Sequence, residues 1–422
     1  MNVLDLKYER YKLNNGLEVI LYNNKHVPLS AVNIWYKTGS AYERKGKTGL
    51  AHLFEHMMFQ GSQNVPKEMH FRFIQEAGGS LNGSTSFDRT NFYEKVPSNF
   101  LEMVLWLEAD RMGFLLPALS QEKLTNQISV VRNERIERYD NQPYGLAWEI
   151  LLKNLYPEGH PYNWPTIGSL EDIDSYNMED VTDFYQKYYS PSNASIVIAG
   201  DFDIASAKKM VEYYFNDIPN LQNTPEISDF SLNSLTHKVI EHSEDVQLSR
   251  IYMAWHTTKI FTEDDVPLEV LADILAGSKS SRLYKELVYD RELAQDISVY
   301  QFSGKFAGHF LIAATAKPGV ELELIKSEIL RLIGVVKKSG ITSNELQKSK
   351  NSIKSSFIYS MQNVDSLADQ LNYYNCFLDE PNSFIADLTR YDILKEEAIQ
   401  KAAMTYLNDN YIELQILPSK KD

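Results

Sequence analysis

LSQEKLTNQISVVRNERIERYDNQ, residues Leu119 to Gln142, has a counterpart further along the chain in ITSNELQKSKNSIKSSFIYSMQN, residues Ile341 to Asn363. Leu124 stands opposite Leu346 and Asn141 opposite Asn363 at one offset, 346 − 124 = 363 − 141 = 222. Self-likeness at a fixed spacing signals an internal repeat, and the text on either side extends it. Upstream, a β-rich segment (Leu17 to Tyr22, then Ala31 to Lys37) precedes a helix over Leu50 to Gln60. In the second half Ser249 to His256 precedes a helix over Pro267 to Ala276. Alternating segments follow, Ser80 to Val96 and Ile297 to Ala314, and then amphipathic helices from Asn99 to Arg111 and from Val320 to Lys337. Each half closes with a tyrosine-rich helix and a short strand, Val181 to Ala199 and Ala398 to Leu417.

Between the halves, residues 216–245 are polar and turn-rich, with two prolines and many Asn and Ser residues. The resulting expectation is an α+β fold of two homologous domains, each a mostly antiparallel sheet with helices packed on one side. Residues 1–220 form the first domain, 221–240 a linker and 241–422 the second. At the repeat offset Glu134 falls on Ser356, and the second half has no histidine pair in its corresponding helix. Any chemistry therefore belongs to the first half.

That chemistry is carried by TGLAHLFEHMMFQGS, Thr48 to Ser62. Thr48 is a candidate N-cap, Gly61 a candidate C′ residue, and Leu50, Leu53, Phe54 and Met57 form an apolar stripe at helical spacing. His52 and His56 lie at i and i+4, so their rings leave one face a turn apart and can meet one ion, as tetrahedral zinc requires. Glu55, three residues after His52, can hold a water against the metal without ligating it, which makes it a candidate general base. A catalytic zinc has three protein ligands and an open position. The helix Glu122 to Asp140 offers Glu134, 134 − 56 = 78 residues past the second histidine, or Glu137. Glu134 is preferred, because Val130 and Val131 beside it would seat that helix on the core and turn the carboxylate inward.

Composition narrows the remaining classes. The 422 residues carry 42 Lys and Arg against 57 Asp and Glu, a formal charge of −15, which disfavours dense phosphate contacts and hence nucleic acid as a partner. The single cysteine, Cys376, permits no intrachain disulfide and no cysteine-rich metal site, and its aromatic neighbours suit a buried small side chain. No stretch is apolar enough to span a bilayer, and the N-terminal text lacks the pattern of a signal peptide. The expected compartment is the cytoplasm, or the periplasm if a leader has been removed from this numbering.

The inverted motif His-x-x-Glu-His is the inverzincin signature. Together with GLAHLFEHMMFQGS, SLNGSTSFDRTNFYEKVP, VVRNE and the paired-domain plan, it makes the chain resemble the pitrilysin and insulysin family of metallopeptidases over essentially its whole length. Its length is similar to that of the short-subunit branch, which includes bacterial peptidase pairs and the mitochondrial processing peptidase. The resemblance implies zinc (Zn2+) held by His52, His56 and Glu134, with Glu55 as catalytic base. It implies that Asn82 to Asp88, with Asn82, Gly83, Ser84 and Thr85, forms the edge strand that pairs with an extended peptide substrate. It also implies that Phe59 lines the pocket just past the scissile bond.

One departure bears on partners. Many active members supply an Arg and a Tyr, separated by six residues, to stabilise the substrate oxyanion. In KELVYDRELAQDISVY those positions fall on Val288 and Gln295, while Arg282 and Tyr289 have the same spacing in another register. The resemblance therefore implies a second, non-identical subunit carrying the missing pair. The expected function is a zinc-dependent endopeptidase subunit acting on peptides or unfolded polypeptides, the metal-bearing half of a heterodimer. The alternatives are a non-catalytic structural subunit of the same fold and a self-sufficient homodimeric peptidase.

Overall fold

The computed structural model describes residues 6–221, 224, 227, 230, 232 and 234–419. Much of the expected linker, 221–240, lies outside them. The chain divides into two compact units, one of residues 1–135, 164–228 and 357–386 and the other of residues 136–163, 229–356 and 387–422. Each unit thus takes a segment from the opposite half of the chain.

The first unit is built on strands β1 (Glu9–Lys12), β2 (Glu18–Asn23), β3 (Leu29–Tyr36), β4 (Ser80–Thr85), β5 (Thr90–Pro97) and β6 (Ala194–Gly200), in the order β1-β2-β6-β3-β5-β4. The central strands β3 and β6, SAVNIWY and ASIVIAG, are buried throughout, as strands covered on both faces must be. The second unit holds β7 (Lys238–Glu244), β8 (Arg250–Thr257), β9 (Ala294–Ser303), β10 (Gly308–Ala316) and β11 (Ile412–Pro418), in the order β7-β11-β8-β10-β9. Leaving β1 aside, the two orders are the same, and in both sheets the first pair (β2 with β6, β7 with β11) is parallel and the rest antiparallel. The repeat read from sequence is a repeat of topology.

Helices cover more than one side of each sheet. On β3, Val32, Ile34 and Tyr36 face the helix α3 (Leu101–Phe114), while α1 (Leu50–Met57) and α2 (Met69–Glu76) pack on β4 and α4 (Gln121–Arg135) packs on α1. Asn33 and Trp35, on the other face by strand alternation, meet the helix Val364–Leu378 from the far half of the chain. In the second unit the helix Asp265–Ala276 and its neighbours bury Met253 and Trp255. The opposite face of β8 meets α5 (Ala147–Leu155), which comes from the first half. Since 147 + 222 = 369, α5 and Val364–Leu378 are repeat-equivalent helices, each packed on the other half's sheet.

The α5 side of the second sheet is lined with aromatic and imidazole rings. His256 and His309 are direct cross-strand partners. Tyr156 bonds His309 Nδ1 through its hydroxyl at 2.9 Å and stacks on His160 at 4.7 Å between centroids, while Trp148 lies 5.1 Å from the His309 ring. Burial, with His256 nearby, pushes His309 down from the ordinary 6.5 to about 3 and His160 to about 4. A histidine depressed in this way is held neutral by folding. Its contribution is complete above about pH 6.5 and is lost as pH falls toward the folded value. The thermal midpoint should therefore drop between about pH 6.5 and pH 4, and His309→Gln should flatten that slope by up to about 3 kcal/mol. Parallel pH profiles for the two proteins, followed by circular dichroism, would contradict this.

Candidate functional site

Helix α1 is fixed by its apolar stripe: Leu50, Leu53, Phe54 and Met57 are all buried, with Phe54 against Tyr189 at 4.3 Å between centroids. Its N-terminus differs from expectation. The N-cap is Gly49 at φ +87°, and Thr48 turns its hydroxyl to Asp172 instead. The helix is capped from a distance by Glu43, whose carboxylate accepts the N–H groups of Gly49 and Ala51, each at 2.8 Å. This satisfies donors that the helix itself leaves open. No local sequence pattern points to Glu43 as a cap. Beneath it, Gly49 and Gly168 cross at positive φ so closely that a Cβ on either would lie 2.2–2.3 Å from a carbonyl oxygen of the other strand of chain. Gly61 takes φ +88° in the turn beyond α1, but the helix ends at Met57 with Met58 as its C-cap, so Gly61 is not the expected C′ residue.

The crossing reaches α4 through Arg135, whose Nη1 donates to Gly168 O at 2.6 Å. Leu124, Gln127, Val131 and Arg135 form the buried face of α4. Val130 is 41 % exposed, so Val131 alone seats the helix, contrary to the expected pair, because adjacent helical residues point about 100° apart. Glu134 lies at the margin of that face and reaches the histidines. Its Oε2 is 3.4 Å from His56 Nε2 and 3.9 Å from His52 Nε2, and the three ligand atoms lie within 4.8 Å of one another. Four-coordinate zinc with bonds of about 2.0–2.1 Å holds its ligand atoms roughly 3.4 Å apart, so this donor set fits the ion. Glu137 is exposed beyond the end of α4 and is not in the group.

Glu55 sits beside this group and against β4. Thr85 donates its hydroxyl to Glu55 Oε2 at 2.5 Å, and a Cβ on Gly83 would stand 3.1 Å from Glu55 Cγ, so the glycine lets strand and carboxylate approach. Burial raises the Glu55 carboxyl above the ordinary carboxylate value, and the Thr85 bond draws it partly back. β4 is the sheet's edge, as expected for Asn82, Gly83, Ser84 and Thr85, although the strand ends at Thr85 and residues 86–88 belong to the following turn. Ser86 N–H donates to Arg89 O, so in this register Ser84 and Asn82 point their backbone groups toward β5 while Leu81, Gly83 and Thr85 turn theirs outward. The Gly83 N–H is taken by the Asn82 side chain at 2.9 Å.

Phe59 is half-buried and packs on Phe71 at 4.8 Å and Phe92 at 5.7 Å. Arg111, 1 % exposed, lies over Phe59 at 4.9 Å and Phe92 at 4.2 Å, and bonds Glu94 and Glu108. His70, Glu94 and Glu108 would also make a three-donor group. The guanidinium already supplies the positive charge there, and burial with Arg111 beside it pushes His70 down to about 3.

The oxyanion candidates of the second unit are committed elsewhere. Arg282 donates Nε and Nη2 to Glu345 at 2.6 and 2.8 Å, and with this bond foremost the Glu345 carboxyl falls to about 2. Tyr289 is 75 % exposed, Val288 packs against the apolar core and Gln295 is exposed on β9. Cys376 is half-buried, less enclosed than its aromatic neighbours suggest.

Known proteins resemble the chain across its length. Residues 18–163 match the family described as Insulinase (Peptidase family M16), and residues 175–353 match the one described as Peptidase M16 inactive domain. The zinc protease PqqE of Helicobacter pylori is 30 % identical over 417 residues, covering 96 % of this chain and 91 % of that one. The uncharacterized zinc protease YmxG of Bacillus subtilis is 25 % identical over 413 residues, covering 97 % and 98 %. A crystal structure of a protease from Helicobacter pylori superposes with a TM-score of 0.92 at 28 % identity, covering 98 % of this chain and all of that one.

Arg111→Met should destabilise the protein by about 3–5 kcal/mol, since it strands two buried carboxylates, and the loss should be partly recovered in the double variant with Glu108→Gln. Thermal or denaturant unfolding measures both, and a near-neutral single variant would contradict the network's role.

Proposed function

The chain belongs to peptidase family M16, the pitrilysin and insulinase family, and from that membership we propose that it is the zinc-bearing subunit of an endopeptidase that cuts extended peptides or unfolded segments. The observation that carries this reading is the convergence of His52, His56 and Glu134 from two helices, with Glu55 beside them and bonded to the outermost strand of the sheet. Zinc, when bound there, supplies Lewis acidity and lowers the pKa of a water it holds to about 7. Glu55 takes the proton of the attacking water and returns it to the leaving amine. The outward groups of Leu81, Gly83 and Thr85 on β4 receive the peptide backbone as an added strand, with the Asn82 side chain releasing the Gly83 N–H. Phe59 and Phe71 form an apolar wall beside the scissile position.

The oxyanion-stabilising pair is proposed to come from a second, non-identical subunit. Support comes from the commitment of Arg282 to Glu345 and from the packing of Val288 against the apolar core. The second repeat carries Ser356 at the Glu134 position.

Two outcomes check this reading. Glu55→Gln should lower hydrolysis of a quenched fluorescent peptide library by about a thousandfold while zinc stays at one per chain, whereas Glu134→Ala should lose the metal. Loss of zinc from the Glu55 variant would make that residue a ligand and overturn its role. The purified zinc-loaded chain should show little activity until lysate of its source is added back, and full activity alone would replace the heterodimer with a self-sufficient enzyme.

A further inference from the structure

The face of β4 turned away from Glu55 has an unusual support. Side chains alternate along a strand, so Gly83 and Thr85 face α1 while Ser84 faces the side covered by the helix Val364–Leu378. On that side lies a cavity of about 230 Å³ lined by residues that include Ser84, Arg89, Asn91, Tyr93 and Asp369. The strand is held across it by hydrogen bonds in series. Arg89 Nη1 donates to Ser84 O at 2.8 Å, to Ser84 Oγ at 2.5 Å and to Asn91 Oδ1 at 3.1 Å, with its guanidinium over the Trp35 ring at 5.2 Å. Asp369 Oδ1 accepts from Asn91 Nδ2 at 2.9 Å, Trp35 Nε1 at 2.8 Å and Asn33 Nδ2 at 3.3 Å. One carboxylate on a helix from the far half of the chain therefore orients both the amide and the indole that hold Arg89.

We infer that Arg89 and Asp369 are positioning residues for peptide binding, bracing β4 so that its outward backbone groups are presented in a fixed line to an incoming strand. The inference rests on the proposed reading that β4 receives the peptide. Main-chain pairing requires several donors and acceptors in register at once, so a strand free to shift must be ordered when the peptide binds, and that ordering weakens affinity. The edge strand has a partner on one side only, and Gly83 at its centre adds no side-chain packing. The bonds from Arg89 Nη1 to Ser84 O and Oγ are what stiffen it.

The test is equilibrium binding of a fluorescently labelled, unstructured peptide to the zinc-loaded full chain carrying Glu55→Gln, which separates binding from turnover. Adding Asp369→Asn removes the charge at constant shape, and Arg89→Met keeps an unbranched stem but removes the donor that bonds Ser84. Each is expected to weaken binding about tenfold, with zinc content unchanged and amide exchange in residues 80–85 accelerated, a local effect that general loss of stability would not confine to β4. Unchanged affinity and unchanged exchange in both variants would overturn the brace. If either variant fails to hold zinc, Ser84→Ala, which deletes only the hydroxyl contact, decides by the same two measurements. Failure of the Glu55→Gln parent itself to bind peptide would sink the peptidase reading and not the brace alone.

Discussion

Three donor atoms can share one ion only if their helices are held to within about 0.5 Å, and here the helices are far apart in the chain. The start of α1 is joined to α4 through the segment around Gly168, which meets one by its backbone and the other by the Arg135 side chain. Gly49 and Gly168 pass each other where no Cβ fits, and Arg135 ties the end of α4 to the Gly168 carbonyl one residue past Glu134. Glu43 completes the anchoring from the other side by capping α1.

The second constraint is the open edge of the first sheet. An unpaired strand edge is a liability, and proteins commonly blunt it. Here Asn82 folds its own side chain onto the outward Gly83 N–H. The α1 face of β4 meets Glu55 and the opposite face rests on a hydrogen-bonded cavity. The helix that shapes that cavity, Val364–Leu378, is encoded in the other half of the chain, and its equivalent α5 makes the reciprocal move. A single half would leave Asn33, Trp35 and Asn91 without the carboxylate that they share.

Buried charge is concentrated beside the site. Arg111, Glu94, Glu108 and His70 lie together under Phe59, an arrangement that stabilises little against an apolar alternative but defines one geometry for the ring above it. The second sheet also buries neutral histidines among aromatic rings, which links its stability to pH.

The sequence by itself determined the repeat and the metal-binding pattern, because both are set by spacing along one chain. Periodic apolar residues specify elements, their order at a constant offset specifies a duplicated topology, and i, i+4 histidines must share a helical face. Glu134 was within reach of the same logic, since it stands on a helix with one buried face, although Val130 beside it points to solvent. What only the tertiary structure decided were matters of which surface meets which. The exchange of α5 and Val364–Leu378 between sheets, the capping of α1 by Glu43 instead of Thr48, the bond from Thr85 to Glu55 and the engagement of Arg282 by Glu345 all join residues whose local text is ordinary. A polar side chain's partner is chosen by proximity after folding. No periodicity records it, and residues such as Arg89 and Asp369 become legible only once the sheet has brought them together.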